Sequence, residues 1–378
     1  MKFFASDMVR RFDWLLAAAV FILLLVSLLT LAGLSAASPF QFFQRQVLWV
    51  IVGAGVFLAV SLFDYRRLRS YSGFLLAVYL FLILALAVLL FSGARVRGVV
   101  SWFHIGSFAI EPGEFVKIIL IVILAKYFSR RHVEIYRLRH LTISGVYAAL
   151  PIGLILLQPD LGTAMILGSV WLGIVIFSGI RLKHFAVFSL LFAVVAIISW
   201  SFLFAPYQQS RIISFLNPWN DPRGTGYNAI QSMIAVGSGE LWGKGLGYGS
   251  QTRLHFLPEP ATDFIFAAFA EEWGFIGVIF LLSVYGVIFW RLFRIGMRAG
   301  DNFARLAILG ISTVIFAHIF IHVGMNLGML PITGITLPFV SYGGSSILTA
   351  MALAGLAESI AIRSWKSGRQ AEGEGILA

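Results

Sequence analysis

The chain has 378 residues, 59% of them hydrophobic and only 12% charged, with a mean hydropathy of +0.91 and a formal net charge of +11. Soluble domains average roughly 45–50% apolar and about 25% charged residues, so this composition excludes a water-soluble globule and points to lipid as solvent. Cysteine is absent, which excludes disulfides and thiolate metal sites.

A bilayer core about 30 Å thick needs roughly 20 apolar residues per helix, because the backbone must satisfy its own hydrogen bonds there. Apolar runs predict ten spans: 12–34, 47–63, 73–92, 113–128, 141–158, 161–179, 184–205, 263–290, 304–328 and 345–363. The first follows Lys2, Arg10 and Arg11, as a secretory signal would, but it exceeds the roughly 7–15 residues of a signal core and further spans follow at once. With the N-terminus inside, twenty of the 28 Lys and Arg residues fall on the inner side. Basic residues collect in the cytoplasm, so both termini are expected there, and the positive charge is explained by anionic lipid without nucleic acid. The expected architecture is an all-α polytopic membrane protein of about ten transmembrane helices. It forms one integral membrane domain over 1–378, with a large extracytoplasmic loop at 206–262 between helices 7 and 8 and a disordered cytoplasmic tail at 366–378.

Polar residues within this apolar chain are the candidates for chemistry. In IEPGEFVK (110–117), Pro112 suits a first helical turn and Glu114 favours the positive end of the helix dipole. Lys117, three residues on, shares its face, so the two can form an ion pair. The pair either locks two helices together or faces an aqueous cleft. QPDLGTA (158–164) is a short outside turn in which Asp160 reads as a helix cap or a functional carboxylate. The 206–262 loop is longer than a plain connection requires, and its glycines and aromatics argue for an ordered or binding surface. Within it, GKGLGYG (243–249) lacks the phosphate-loop spacing, yet its amides beside Lys244 can still cradle a lipid-linked diphosphate.

FLPEPATDFIFAAFAEEWGF (256–275) places Asp263 where a polar loop becomes an apolar run, with Glu271 and Glu272 two turns deeper. Asp263 either caps that helix or sits in a wet outer cleft; the glutamates must face protein or water. His318 and His322 share one helix face, as metal ligands or as buried hydrogen-bonded histidines. GMLPITGITLPFVSYGGSS (328–346) is a Gly/Pro-broken segment leading into the last span.

Three long stretches, FLPEPATDFIFAAFAEEWGFIG, NPWNDPRGTGYNAIQSMIAVGSGELWGKGLGYGSQ and LPITGITLPFVSYGGSS, resemble the SEDS family (shape, elongation, division and sporulation), and the likeness extends over nearly the whole chain. It implies a peptidoglycan glycosyltransferase that polymerises lipid II at the outer face of the cytoplasmic membrane. By that likeness Asp263 matches the essential aspartate, and Glu114 with Lys117 matches the family's Glu-x-x-Lys pair. Asp160, Glu259, Ser341 and Ser345 are supporting candidates. The family's usual Gln-Pro-Ser-Glu reads EPGE at 111–114, which leaves Glu111 and Gly113 open as substrate contacts. The resemblance favours the rod-shape branch, with elongation machinery and a class B penicillin-binding protein as partners, over the division branch.

Glycan polymerisation needs a base for the attacking sugar hydroxyl and positive charge for the leaving diphosphate. The base is assigned to Asp263, and the charge to Arg211, Arg223, Lys244, Arg253 or a divalent cation, Mg or Mn. A flippase for a lipid-linked precursor is the alternative. It is disfavoured because the polar residues cluster on the outer side and do not run the full depth of the spans.

Overall fold

A computed structural model describes residues 11–37, 42–92, 101–105, 108–130, 138–179, 209 and 213–374. In chain order the helices are α1 Trp14–Ala37, α2 Phe42–Leu62, α3 Tyr65–Ser70, α4 Ser72–Ser92, α5 Pro112–Ser129, α6 Leu138–Leu157, α7 Leu161–Phe177, α8 Tyr227–Ser238, α9 Ser250–Arg253, α10 Ile265–Arg298, α11 Asn302–Asn326 and α12 Gly344–Glu374. Seven of them, α1, α2, α4, α6, α10, α11 and α12, are long and apolar enough to cross a membrane. Helix α7 is apolar but has 17 residues, and α5 is interrupted by Glu114, Lys117 and Lys126. The expected span at 184–205 lies outside the described residues.

The chain is not wholly helical: β1 (Phe103–Ile105) and β2 (Phe108–Ile110) form an antiparallel ribbon before α5. Segments this short are invisible to a search for apolar runs. Helix α12 continues through Glu374.

The spanning helices are apolar all round, so sidedness comes from shape and not from polarity. On α1, Leu16, Leu23 and Leu31 are buried while Phe21, Leu25 and Leu29 look outward with no polar face between them. Lipid offers no hydrophobic drive to association, so close packing at small residues carries it. The buried stripe of α2 is Gln46, Gly53, Phe57 and Ser61, and it lies against α12, where a side chain at Gly355 would strike the backbone of Phe57. Helix α11 sits at the centre, packed on α5, α7 and α10. At the end bearing α3, Arg291 of α10 pairs with Asp13 (2.5 Å), whose amide donates to Glu358 of α12 (2.7 Å).

Helix α10 is broken where the sequence carries its two glutamates. Gly274 has φ 66° and ψ −169°, and a side chain there would collide with the carbonyl of Leu241 and the amide of Gly243. A regular helix would bond Phe275 N to Glu271 O and Ile276 N to Glu272 O. Those four groups turn instead to the preceding loop: Phe275 N and Ile276 N donate to the carbonyls of Glu240 (2.9 Å) and Leu241 (3.2 Å), while Glu271 O and Glu272 O accept from Lys244 N and Gly245 N (both 3.0 Å). The break is therefore fully hydrogen-bonded, as burial requires.

Candidate active site

The carboxylates of Glu271 and Glu272 serve the same junction. Glu271 Oε1 accepts from Lys244 Nζ (2.8 Å), Ser250 Oγ (3.2 Å) and Gln251 N (3.0 Å), its Oε2 from Thr252 Oγ1 (3.2 Å), and Glu272 Oε1 from Gly247 N (3.0 Å). GKGLGYG thus has a structural role at the break in α10. The amides of Lys244, Gly245 and Gly247 and the Lys244 ammonium are committed to α10.

The chemistry-bearing residues meet elsewhere, in a cleft of about 710 Å³ at the end of the bundle where α2, α5, α7 and α12 begin. Its lining includes Asp263, Glu259, Glu114, Lys117, Asp160 and Ser345 from the expected set. Ser341 is buried and does not line it, although its neighbour Tyr342 does. Arg211 is outside the described residues, Arg223 is exposed, and Arg253 is exposed with its guanidinium 5.9 Å from the Tyr248 ring; neither Arg223 nor Arg253 lines the cleft. The cations that do line it are Arg45 and Lys117. Arg45 is not among the residues singled out from the sequence, because nothing local tells that the start of α2 faces the start of α12.

Asp263 is not a helix cap. Helix α10 starts at Ile265, its N-cap is Phe264, and no side chain caps it. The turn carrying Asp263 is held through three consecutive carbonyls: Ala261 O accepts from Tyr342 N (2.8 Å), Thr262 O from Ser341 Oγ (2.9 Å) and Asp263 O from Asn326 Nδ2 (3.1 Å). Ser341 Oγ in turn accepts from Leu337 N (2.8 Å), so the segment after α11 and the aspartate turn are one hydrogen-bonded unit. Across the cleft, Gly334 has φ 75°, and a side chain on it would sit 3.5 Å from Asp263 Oδ2.

The positioning runs along one face of α11. His318, His322 and Asn326 are spaced by four, so they stack on one face. His318 Nδ1 donates to Thr336 O (2.9 Å), His322 Nδ1 to Ile335 O (2.6 Å), and Asn326 reaches Asp263 O. Both histidines thus use Nδ1 to hold backbone, and no metal cluster is found among the described residues. Since Thr336 O can only accept, His318 carries its proton on Nδ1 and offers Nε2 as acceptor to Lys117 Nζ (3.0 Å). Lys117 Nζ also donates to Glu114 Oε1 (2.8 Å), with side-chain exposures of 2% and 7%. This buried chain leaves the Lys117 charge fixed at the floor of the cleft.

Asn326 Oδ1 also accepts from the buried amide of Ala267 (3.2 Å). Asn326→Ala leaves that amide without its acceptor, at a cost of about 1–3 kcal/mol. We expect a lower unfolding midpoint, and faster exchange at the Ala267 amide than at α10 amides beyond Gly274; equal exchange would show that Asn326 does not organise the turn.

Asp160 caps α7 by accepting from Thr163 N (3.0 Å) and also lines the cleft, so the two readings of it coincide. Burial raises its carboxyl above the ordinary range, against the bonds from Thr163. Glu111 precedes Pro112; its amide donates to Ser345 Oγ (3.0 Å) and its carboxyl takes a hydrogen bond from Trp102. Burial and then the neighbouring carboxylates of Glu114 and Asp160 push it well above 4.5. A carboxyl that holds its proton more tightly folded than unfolded makes stability fall as pH rises, from its unfolded value upward through the folded one. Glu111→Gln removes that loss, so the midpoint difference, variant minus wild type, is expected to grow on going from pH 4.5 to neutrality and beyond. A pH-independent difference would contradict it.

These features define a multi-pass helical membrane protein with one acidic, cation-bearing cleft at the end of its bundle. The sequence model of the FtsW/RodA/SpoVE family, described as "Cell cycle protein", matches residues 8–366, and the chain belongs to this family, the SEDS proteins. It is 38% identical over 352 residues to stage V sporulation protein E of Bacillus subtilis, covering 90% of this chain and 94% of that one. Over 292 residues it is 38% identical to peptidoglycan glycosyltransferase MrdB of Escherichia coli, covering 77% and 79%. Among solved structures it is similar to a chain of a peptidoglycan synthase complex that coordinates polymerisation and crosslinking, with TM-score 0.79, 28% identity and coverage of 94% and 99%. It is also similar to the rod shape determining protein RodA of Thermus thermophilus, with TM-score 0.68, 27% identity and coverage of 93% and 96%.

Proposed function

We propose that the chain is a peptidoglycan glycosyltransferase that polymerises lipid II at the outer face of the cytoplasmic membrane, with ten spans and both termini inside. The observation that carries this reading is the gathering of Asp263, Glu114 and Lys117 in one cleft, in a family whose members MrdB and FtsW are named for that activity.

Asp263 is the general base. Lying on a turn whose three consecutive carbonyls are held by Tyr342, Ser341 and Asn326, it takes the proton of the attacking sugar hydroxyl, a contribution typically worth 10²–10⁴-fold. The hydroxyl oxygen attacks the anomeric carbon and the lipid diphosphate leaves from the opposite face, inverting the centre. Arg45 and Lys117 supply the positive charge that the leaving group needs. The burial and neighbouring carboxylates that push Glu111 upward favour the same step, because they make its negative charge, which would oppose the diphosphate, harder to form. A divalent cation, Mg or Mn, if held by the cleft carboxylates Asp160 and Glu259, would add positive charge for the leaving diphosphate. The chain works in elongation beside a class B penicillin-binding protein, as its likeness to RodA and to a synthase complex supports.

The test is purified protein with lipid II in detergent, with and without the transpeptidase, read by gel separation of glycan strands. No polymer under either condition would sink the proposal. Transfer of labelled lipid II across vesicles without polymer would favour the flippase.

A further inference from the structure

The cytoplasmic-side loop chemistry is not used by any of this. At the end of the bundle opposite the cleft, a second cavity of about 490 Å³ is lined by Tyr65, Arg66, Arg69 and Ser70 of α3, by Gly300 and Asp301 between α10 and α11, and by Arg363 and Ser364 of α12. Three guanidinium groups therefore surround one concave space.

Arg363 is built in. Its Nη2 donates to Leu62 O (2.6 Å), its Nη1 to Ser61 O (3.2 Å) and Ser359 Oγ (2.9 Å), and its Nε lies 3.4 Å from Asp64 Oδ1. The one carboxylate in the lining is already spent: Asp301 Oδ1 accepts from Ala304 N (2.8 Å) and Oδ2 from the Tyr65 hydroxyl (3.0 Å). Arg66 and Arg69, one turn apart on α3, are exposed, and among the described residues neither forms an ion pair. Charge that serves only to orient a membrane protein needs neither a cavity nor a locked arginine. The two exposed planar forks of Arg66 and Arg69, lining one cavity, match phosphate oxygens.

The apolar surroundings say what carries the phosphate. Helix α3 joins the ends of α2 and α4, two helices long enough to cross a membrane, which sets the cavity at headgroup depth. Beside it Leu62 (59%), Phe63 (42%), Tyr71 (64%) and Phe74 (63%) are exposed, a surface for acyl chain next to a site for anion. We infer that this cavity binds the headgroup of an anionic phospholipid of the phosphatidylglycerol type, with Arg66 and Arg69 closing on its phosphate and Arg363 fixed behind it.

The test titrates the full-length purified protein in neutral detergent with phosphatidylglycerol or phosphatidylcholine and counts bound lipid by native mass spectrometry. A charge near the surface is worth about 1 kcal/mol per arginine, so Arg66→Gln or Arg69→Gln should weaken phosphatidylglycerol about 5-fold, and the double variant about 30-fold, with phosphatidylcholine unchanged. Arg67→Gln, on the same short helix but outside the cavity, should leave binding at the wild-type level. Thermal midpoints confirm that each variant is folded, and the single variants stand in if the double one is not. The inference is overturned if wild type does not prefer phosphatidylglycerol, or if Arg67→Gln weakens it as much as the double variant. It is overturned equally if inorganic pyrophosphate at the same concentration displaces the lipid, since the ligand would then be a soluble phosphate.

Discussion

Asp263→Asn is expected to lower glycan polymerisation by about 10²–10⁴-fold while leaving the unfolding midpoint unchanged. Asparagine keeps the shape and most of the hydrogen-bonding capacity of aspartate but cannot take a proton. It caps helices as well as aspartate does, so a capping role would predict near-normal activity. The structure already separates the two, because α10 is capped by no side chain and Asp263 is tied to the fold through its carbonyl, which the substitution leaves in place. Activity within tenfold of wild type, from protein with a normal midpoint, would remove Asp263 as the base.

Lys117→Met carries the largest expected cost in stability. It leaves Glu114, with 7% of its side chain exposed, as an uncompensated buried carboxylate and takes the donor from His318 Nε2. Removing one partner of a buried pair costs about 3–5 kcal/mol, whereas replacing both is often close to neutral. Glu114→Gln combined with Lys117→Met should therefore recover most of the lost midpoint and yet stay inactive, since the cleft has lost its fixed cation. A double variant no more stable than Lys117→Met would show that the pair is not the source of the penalty. A double variant that polymerises normally would take Lys117 out of the chemistry.

The parts of the molecule legible in the sequence are those fixed by local composition. The stretch expected as a span at 73–92 is the helix Ser72–Ser92, and 113–128 falls on the helix Pro112–Ser129, because apolar length and a first-turn proline mark helices directly. Glu114 and Lys117 were readable as a pair because their spacing is helical. Parts fixed by long-range pairing were not legible. Lys244 meets Glu271 across 27 positions of chain, and a lysine among glycines on an outer loop reads more naturally as a ligand site than as a structural clamp. His318 gave a motif without a direction: only the fold shows that its two nitrogens face a carbonyl and an ammonium. Among the described residues seven helices are long and apolar enough to cross, and α5 is left out of that number for a physical reason. The charged residues that give α5 its role at the cleft are those that make it a poor match to a lipid span.

The four exchanged backbone bonds at Gly274 bear on how this protein can be re-engineered. Residues 240–245 complete the eighth expected crossing as its own next turn would, so loop and helix are one cooperative piece although they are separate in sequence. Grafting the outer loop from a relative without residues 271–276 would strand two amides and two carbonyls inside the bundle. Chimaeras should therefore be cut on either side of the whole segment from Glu240 to Ile276, and swaps made inside it should fail to insert before any question of catalysis arises.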